Sequence, residues 1–432
     1  MKIIIVNYRY FISGGPERYL FNVKDLLEKN GHTVIPFSIK NLHNTPSEYE
    51  DYFMESIGEG DEVYFKEFDR SDVKAMVKSF ARMFYSFDAK KKLDLLIKKV
   101  QPDLVYVLHY QNKISASIFD VAAAHGVPVV HRISDFGQIC ANALFFRPKE
   151  NDICERCMHG SKWNAVKNKC VHDSYIYSAL KCGSMILAEK VVNVKSKIDA
   201  FVIPSAFTLK KMVEYGFDSK KLFNIPTFFN HNAVSGENEI SYQPFALYIG
   251  RIEQEKGLFT LIKAFVNTNY HLKIIGFSSS GYQQELEQFL QGKQHNIEFL
   301  GKKVFDEIIP YLQSCAFTIV PSECYDNFPN TILESYAYKK AVVATNLGSL
   351  KEMVNEAETG LLFDMQDSDD LLSKVTILLD DLSLCEQYGR KGFIKLEEEY
   401  SAESHYGQLM DVFTNVVKKQ VASPNLKSLK ST

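Results

Sequence analysis

The chain has 432 residues, 46% hydrophobic and 24% charged, with a formal net charge of −3 at neutral pH. That composition is that of a folded globular protein with room for two or three cored domains, and it excludes a largely disordered chain. A small negative charge supplies no overall basic field, which argues against wholesale nucleic-acid binding.

The opening MKIIIVNYRYF holds too short an apolar run for a signal peptide, and no later run approaches the about 18 apolar residues of a membrane span. The expectation is a cytoplasmic protein, in which eight cysteines serve as thiols or metal ligands rather than disulfides. Strand-type runs at 2–8, 32–39, 104–108 and 127–133 alternate with helix-type stretches at 17–31 and 115–126. An acidic insertion at 40–65 and a Cys-rich insertion at 140–182 interrupt that rhythm. It resumes with strands at 245–250, 271–276, 297–301, 317–320, 341–345 and 360–363. Alternation of this kind predicts an α/β protein with two Rossmann-like doubly wound domains facing a central cleft. Residues 1–235 form the first domain and 240–395 the second, joined by a polar hinge near 229–243. A helix at 396–418 is expected to cross back to the first domain, ahead of a disordered tail at 421–432.

Ligands of such sheets settle beyond the carboxyl ends of the strands, so the loops there carry the chemistry. In SGGPERY (Ser13–Tyr19), Gly14 and Gly15 allow close backbone approach, and the helix start that follows can receive a phosphate or sugar oxygen. The pattern is not GxGxxG, so a dinucleotide reading fails; a plain tight turn is the alternative. From Arg70 to Lys99 nine Lys or Arg face three acids among apolar residues, a surface suited to anionic lipid headgroups or simply a solvated helix face. Cys140, Cys154, Cys157 and Cys170 have the spacing C-x13-C-x2-C-x12-C, which can supply four thiolates to a structural zinc, with Cys182 as an alternative fourth ligand. Unpaired thiols or a redox CxxC are the other readings. Nearby Arg156, Lys162, Lys167 and Lys169 raise a nucleic-acid reading that the surrounding chain, not being basic, does not support.

In GRIEQEKG (Gly250–Gly257), Arg251 and Lys256 can converge on a diphosphate and stabilise it as it departs, with no metal needed; an exposed loop with a Glu253–Lys256 pair is the alternative. In ECYDNFPNTILESY (Glu323–Tyr336), Pro329 suits the first turn of a helix that starts near Phe328 and points free N–H groups into the cleft. Asp326 precedes that helix and Glu334 lies nearly two turns in, off the apolar stripe, so the two acids can meet a long ligand at separate points. Otherwise Asp326 and Asn327 merely cap the helix and Glu334 is a solvated surface acid.

Taken together, SGGPERY, GRIEQEKG and the run from VPSECYDNFPNTILESY to GLLF resemble the signatures of retaining glycosyltransferase family 4, two-domain enzymes of the GT-B fold, over about Lys2 to Val417. The four-cysteine insertion resembles that of a subset of the family. The resemblance implies transfer of a sugar, a hexose by preference, from a nucleotide-sugar donor with retention of configuration and without a catalytic metal. It implies that Gly250, Arg251 and Lys256 hold the donor diphosphate, that Glu334 holds the ribose hydroxyls, and that Asp326 lies beside the transferred sugar. Backbone at Asn327, Phe328 and Pro329 would bind sugar hydroxyls or phosphate, with Gly14 and Gly15 approaching from the other domain. The acceptor would be a glycan or polyprenyl-linked oligosaccharide of cell-surface polysaccharide synthesis, with nucleic acid excluded as a partner and 70–99 touching the inner face of the membrane. Two departures stand out. The first acid of the family's E-x7-E pair is Asp326, and the family's cleft His-Asp pair is Ser134–Asp135, which leaves His109 or His131 to serve the acceptor. For His131 the alternative is a buried histidine satisfied by a backbone partner. A non-catalytic sugar-nucleotide-binding protein is the competing reading of both departures.

Overall fold

A computed structural model describes residues 1–57, 73–229 and 240–422. Most of the predicted hinge, the end of the acidic insertion, Arg70 and the tail beyond 422 lie outside the described residues.

The first lobe carries β1 (Lys2–Val6), β2 (Thr33–Phe37), β3 (Leu104–Val107), β4 (Val129–Arg132), a short antiparallel ribbon of β5 (Phe146–Arg147) and β6 (Asp152–Ile153), then β7 (Ala200–Ile203) and β8 (Leu222–Asn224). Apart from that ribbon the strands form one parallel sheet, ordered β2-β1-β3-β4-β7-β8. β1 shows why its sequence is almost wholly apolar: Ile3 and Ile5 enter one buried cluster while Ile4 and Val6 enter the cluster on the opposite face. The helix Gly15–Lys29 covers the first of these faces with Tyr19, Leu20, Val23 and Leu27, a helical stripe.

The second lobe repeats the plan with β9 (Gln243–Ile249), β10 (His271–Ile275), β11 (Asn296–Phe299), β12 (Cys315–Val320), β13 (Ala341–Thr345) and β14 (Gly360–Phe363). All are parallel, in the order β11-β10-β9-β12-β13-β14.

The returning helix is Ala402–Ala422. Its Leu409, Val412, Phe413 and Val416 join Ile3, Ile5 and Leu20 of the first lobe. The helix before it, Leu382–Glu399, stays with the second lobe through Cys385 and Leu396, so the crossing falls near Tyr400 rather than at 396.

The basic stretch folds as two helices, Val73–Phe84 and Phe87–Val100. Its charge is partly internal: Arg82 pairs with Asp88 at 3.2 Å, Lys98 with Asp94 at 2.7 Å, and Lys92 faces Glu55 at 3.7 Å. Among the described residues no helix is long and apolar enough to cross a membrane.

Candidate active site

In each sheet the strand order reverses once, between β1 and β3 in the first lobe and between β9 and β12 in the second. The loops at such a reversal diverge and leave a crevice. Four loops therefore converge: SGGPERY after β1, the His109 loop after β3, GRIEQEKG after β9 and the Asp326 loop after β12.

The second-lobe loops are locked together through their backbones. Glu323 N–H donates to Glu255 C=O at 2.9 Å, and Thr331 Oγ1 donates to Ile249 C=O at 3.3 Å. Gly257 has φ +68° and lies so close that a Cβ there would sit 1.8 Å from the Pro321 carbonyl oxygen. Only glycine fits both demands. At Gly250 the neighbouring Tyr248 hydroxyl, which donates to Arg251 C=O at 2.7 Å, fixes the strand exit.

This framework puts Lys256 Nζ 2.5 Å from Asp326 Oδ1, with both side chains largely buried. The other carboxylate oxygen, Asp326 Oδ2, is buried with no hydrogen-bond partner. Arg251 pairs with Glu255 at 2.9 Å and keeps its guanidinium half exposed. Both cations are therefore paired with an acid, and they differ in exposure, Lys256 being the more buried.

The helix after Asp326 begins at Asn330 with Pro329 as its N-cap, two residues later than the sequence suggests. Neither Asp326 nor Asn327 caps it. Asn327 instead spans the lobes, accepting from Thr208 Oγ1 at 2.7 Å and donating to Ile133 C=O at 2.8 Å. Phe328 packs edge-on against Tyr400, 5.5 Å between ring centres. Asn330 reaches Gly15 C=O at 3.4 Å, and a Cβ on Gly15 would strike its amide at 2.9 Å. Gly14, the residue before the helix Gly15–Lys29, adopts extended backbone.

Glu334 is neither solvated nor an open cleft acceptor, contrary to both sequence readings. It is buried, and its carboxylate pairs with Arg18 of the first lobe. Burial pushes its pKa up, and Arg18 works against that rise. A ribose reaching Glu334 must share or displace the guanidinium. Arg18 belongs to SGGPERY itself, one turn beyond the glycines, where its charge was the unused signal. Asn151 and Glu323 were also missed. The turn of the β5–β6 ribbon carries Asn151 across to Glu323 at 3.1 Å and Gln254 at 3.2 Å, so the Cys-rich insertion braces the cleft.

The two histidines separate cleanly. His131 is buried, its Nδ1–H donating to Val107 C=O at 2.8 Å, and burial pushes its pKa down to about 4. It is a satisfied core residue. His109 lines a small pocket with Asp135, Gln111 and Gln138, and its Nε2 lies 3.8 Å from Asp135 Oδ2. Ser134 is tied into the strand ends, donating to Leu108 C=O and accepting from Arg132, each at 3.1 Å.

The expected zinc ligands do not form a ligand set. Cys140 donates to Asn142 Oδ1 at 2.9 Å, while Cys157 and Cys182 both face Lys162 C=O, at 3.9 and 3.0 Å. Burial, with the neighbouring cysteines, pushes the Cys157 and Cys170 thiols up to about 12. A tetrahedral zinc needs ionised sulfurs at about 2.3 Å from one centre, and its binding would have to displace these thiol protons. Among the described residues no group of three or more His, Cys, Asp or Glu side chains is arranged to hold a metal ion.

Residues 232–394 match the family model of glycosyl transferases group 1. An uncharacterized glycosyltransferase of Methanocaldococcus jannaschii, MJ1178, is 26% identical over 278 residues, 63% of this chain and 71% of that protein. The Campylobacter jejuni N-acetylgalactosamine-N,N'-diacetylbacillosaminyl-diphospho-undecaprenol 4-alpha-N-acetylgalactosaminyltransferase is 26% identical over 244 residues, 54% of this chain and 65% of that enzyme. Among solved structures, sucrose-phosphate synthase from Thermosynechococcus elongatus superposes with a TM-score of 0.68 at 17% identity, over 97% of this chain and 99% of that one. Sheet order and superposition thus define the class of fold, the two-lobed GT-B architecture of its structural neighbours. More particularly, it is the second lobe that is similar to the glycosyl transferases group 1 model.

Proposed function

We propose that this chain is a retaining glycosyltransferase of family 4 type that moves a sugar from a nucleoside-diphosphate sugar to a hydroxyl of a glycan or polyprenyl-linked acceptor during cell-surface polysaccharide synthesis. The observation that carries the reading is the pair at the β9/β12 reversal, where Lys256 holds one oxygen of Asp326 and leaves the other, Oδ2, buried and unpartnered. A buried acceptor of this kind costs about 1–3 kcal/mol unless a donor reaches it, and a sugar hydroxyl is such a donor.

In this reading Arg251 and Lys256 meet the diphosphate. As the anomeric C–O bond breaks, its electron pair passes to the phosphate oxygen, and fixed cations stabilise that growing charge. The acceptor oxygen bonds to the anomeric carbon on the same face, and its proton passes to the leaving phosphate oxygen. His109 and Asp135 receive the acceptor hydroxyl from the first lobe. The diphospho-undecaprenol in the Campylobacter relative's name supports a polyprenyl-linked acceptor. Exposed Val77, Phe87 and Leu95 beside Lys90, Lys91 and Lys99 support membrane contact by that edge.

Replacing Asp326→Asn tests the reading, because it keeps the size of the side chain and removes its charge. Transfer is expected to drop by about a hundredfold or more, and unchanged turnover would remove Asp326 from the site. Slow release of nucleoside diphosphate from the donor in the absence of acceptor separates the enzyme from a protein that only binds the donor.

A further inference from the structure

Asn151 sits in the turn between β5 and β6 with φ +49°, a backbone region that asparagine tolerates better than most residues. Arg147 holds that turn from within, pairing with Glu150 at 3.0 Å and facing Asp152 at 3.7 Å. The N–H of Asn151 stays in the turn as well, donating to Pro148 C=O at 3.3 Å. Its other polar groups all go to the second lobe. Nδ2 donates to Glu323 Oε2 at 3.1 Å, Oδ1 accepts from Gln254 Nε2 at 3.2 Å, and the C=O accepts from Gln366 Nε2 at 2.6 Å.

Two of these partners lead directly to Lys256. Gln254 opens the short helical turn Gln254–Lys256. Glu323 donates its N–H to Glu255 C=O, so the turn is clipped at two successive residues ahead of the lysine. Glu323 is 3% exposed, and neutral side chains hold its carboxylate: Thr260 Oγ1 at 2.6 Å, together with Asn151 and Gln366. A buried carboxylate depends on such donors, and losing one either shifts the loop or leaves the charge uncovered. First-lobe rings seat the next part of the same loop, where Tyr325 packs against Phe207 at 4.6 Å and Phe145 at 5.8 Å between ring centres.

We propose that Asn151 is a positioning residue for the donor diphosphate, completing the Gln254–Lys256 turn from the first lobe only when the lobes are closed. The Cys-rich insertion then couples lobe closure to the placement of Lys256 without touching the donor itself. An open protein lacks these bonds and holds the turn less firmly, so the diphosphate binds fully only to the closed state. This role rests on the diphosphate reading of that loop; it does not depend on which sugar is carried or on its transfer.

The test is titration calorimetry of the full chain with UDP, GDP and ADP, on wild type, Asn151→Gly, Asn151→Asp, Glu323→Gln and the double variant Asn151→Asp/Glu323→Gln. Asn151→Gly keeps the positive φ and the C=O bond to Gln366 while removing the side chain. Asn151→Asp sets a carboxylate against Glu323, and Glu323→Gln sets amide against amide. The double variant exchanges acid and amide across the lobes and so restores the pair. For the nucleotide that wild type binds, Asn151→Asp and Glu323→Gln should each weaken binding by about tenfold, and Asn151→Gly by about threefold to tenfold. The double variant should return to within about threefold of wild type. A merely structural brace would instead lower the melting temperature of Asn151→Gly and Asn151→Asp and leave nucleotide affinity alone. That result, or a double variant that binds no better than its singles, overturns the proposal. If wild type binds none of these nucleotides, the diphosphate reading fails and this role falls with it. If every variant binds like wild type, the diphosphate reading stands and Asn151 alone is removed from it.

Discussion

Glu334 and Arg18 show how a residue can be named correctly as an acid and misplaced in its surroundings. The position of Glu334 off the helix's apolar stripe suggested an open acceptor, but burial in a two-lobed protein is set by the opposite lobe as well as by the helix itself. Arg18 supplies that second surface. Removing the carboxylate with Glu334→Ala frees a guanidinium that is one-third exposed, so stability should fall by only about 1 kcal/mol. Donor affinity should fall by at least about tenfold if ribose hydroxyls are held there. Thermal melting and the KM for donor together check this, and a large stability loss with unchanged KM would make the pair structural. The histidines give the converse case. Periodicity could not tell His109 from His131, because both follow apolar strand residues; only the packing of Tyr110 and Phe201 around His131 decides. His109→Asn should slow transfer to the acceptor by about tenfold to a hundredfold, and an unchanged rate would remove it from the acceptor side.

At the scale of elements, the strands that carry the site were legible because they are buried on both faces and read as unbroken apolar runs. β7 and β8 were not, since a long insertion separates them from β4 and β8 has only three residues. The loops were legible as motifs but not as a joined structure. What joins them is backbone contact, such as Gly257 against Pro321, to which side-chain patterns are blind. Gly257→Ala must resolve both a positive φ and a backbone collision, so the second lobe should lose about 2 kcal/mol or more in urea unfolding, with a raised KM for donor. A neutral effect on both would show that the two loops are not held to each other at this point. The zinc expectation belongs to the same scale. Spacing brings the cysteines into one insertion, but Asn142 and the Lys162 carbonyl take the thiols as donors.

Over the whole molecule the helix that crosses back is held on the first lobe in part by a titratable residue. His405 of the crossing helix donates from Nδ1 to Pro226 C=O at 2.7 Å, so its neutral Nε2 accepts from Tyr19 O–H at 3.0 Å. Burial lowers its pKa to about 3, as it lowers that of His131 to about 4. Both are depressed below the ordinary histidine value of about 6.5, so the unfolded chain binds the extra protons. The stability they contribute is complete above pH about 6.5 and is lost as pH falls toward the folded values, at up to about 1.4 kcal/mol per pH unit for each. The melting temperature should therefore be flat above neutrality and fall steadily from pH about 6.5 to about 4.5, with a shallower slope in His405→Gln. A flat profile across that window would contradict the buried neutral assignment.

The claim on which the site depends is that the β9 and β12 loops meet around a diphosphate. Titration calorimetry with UDP, GDP and ADP on wild type and an Arg251→Ala/Lys256→Ala double variant reads it directly. At least one nucleotide should bind wild type, and the double variant should weaken it by about a hundredfold or more. Equal affinity in the two proteins would place the diphosphate somewhere else.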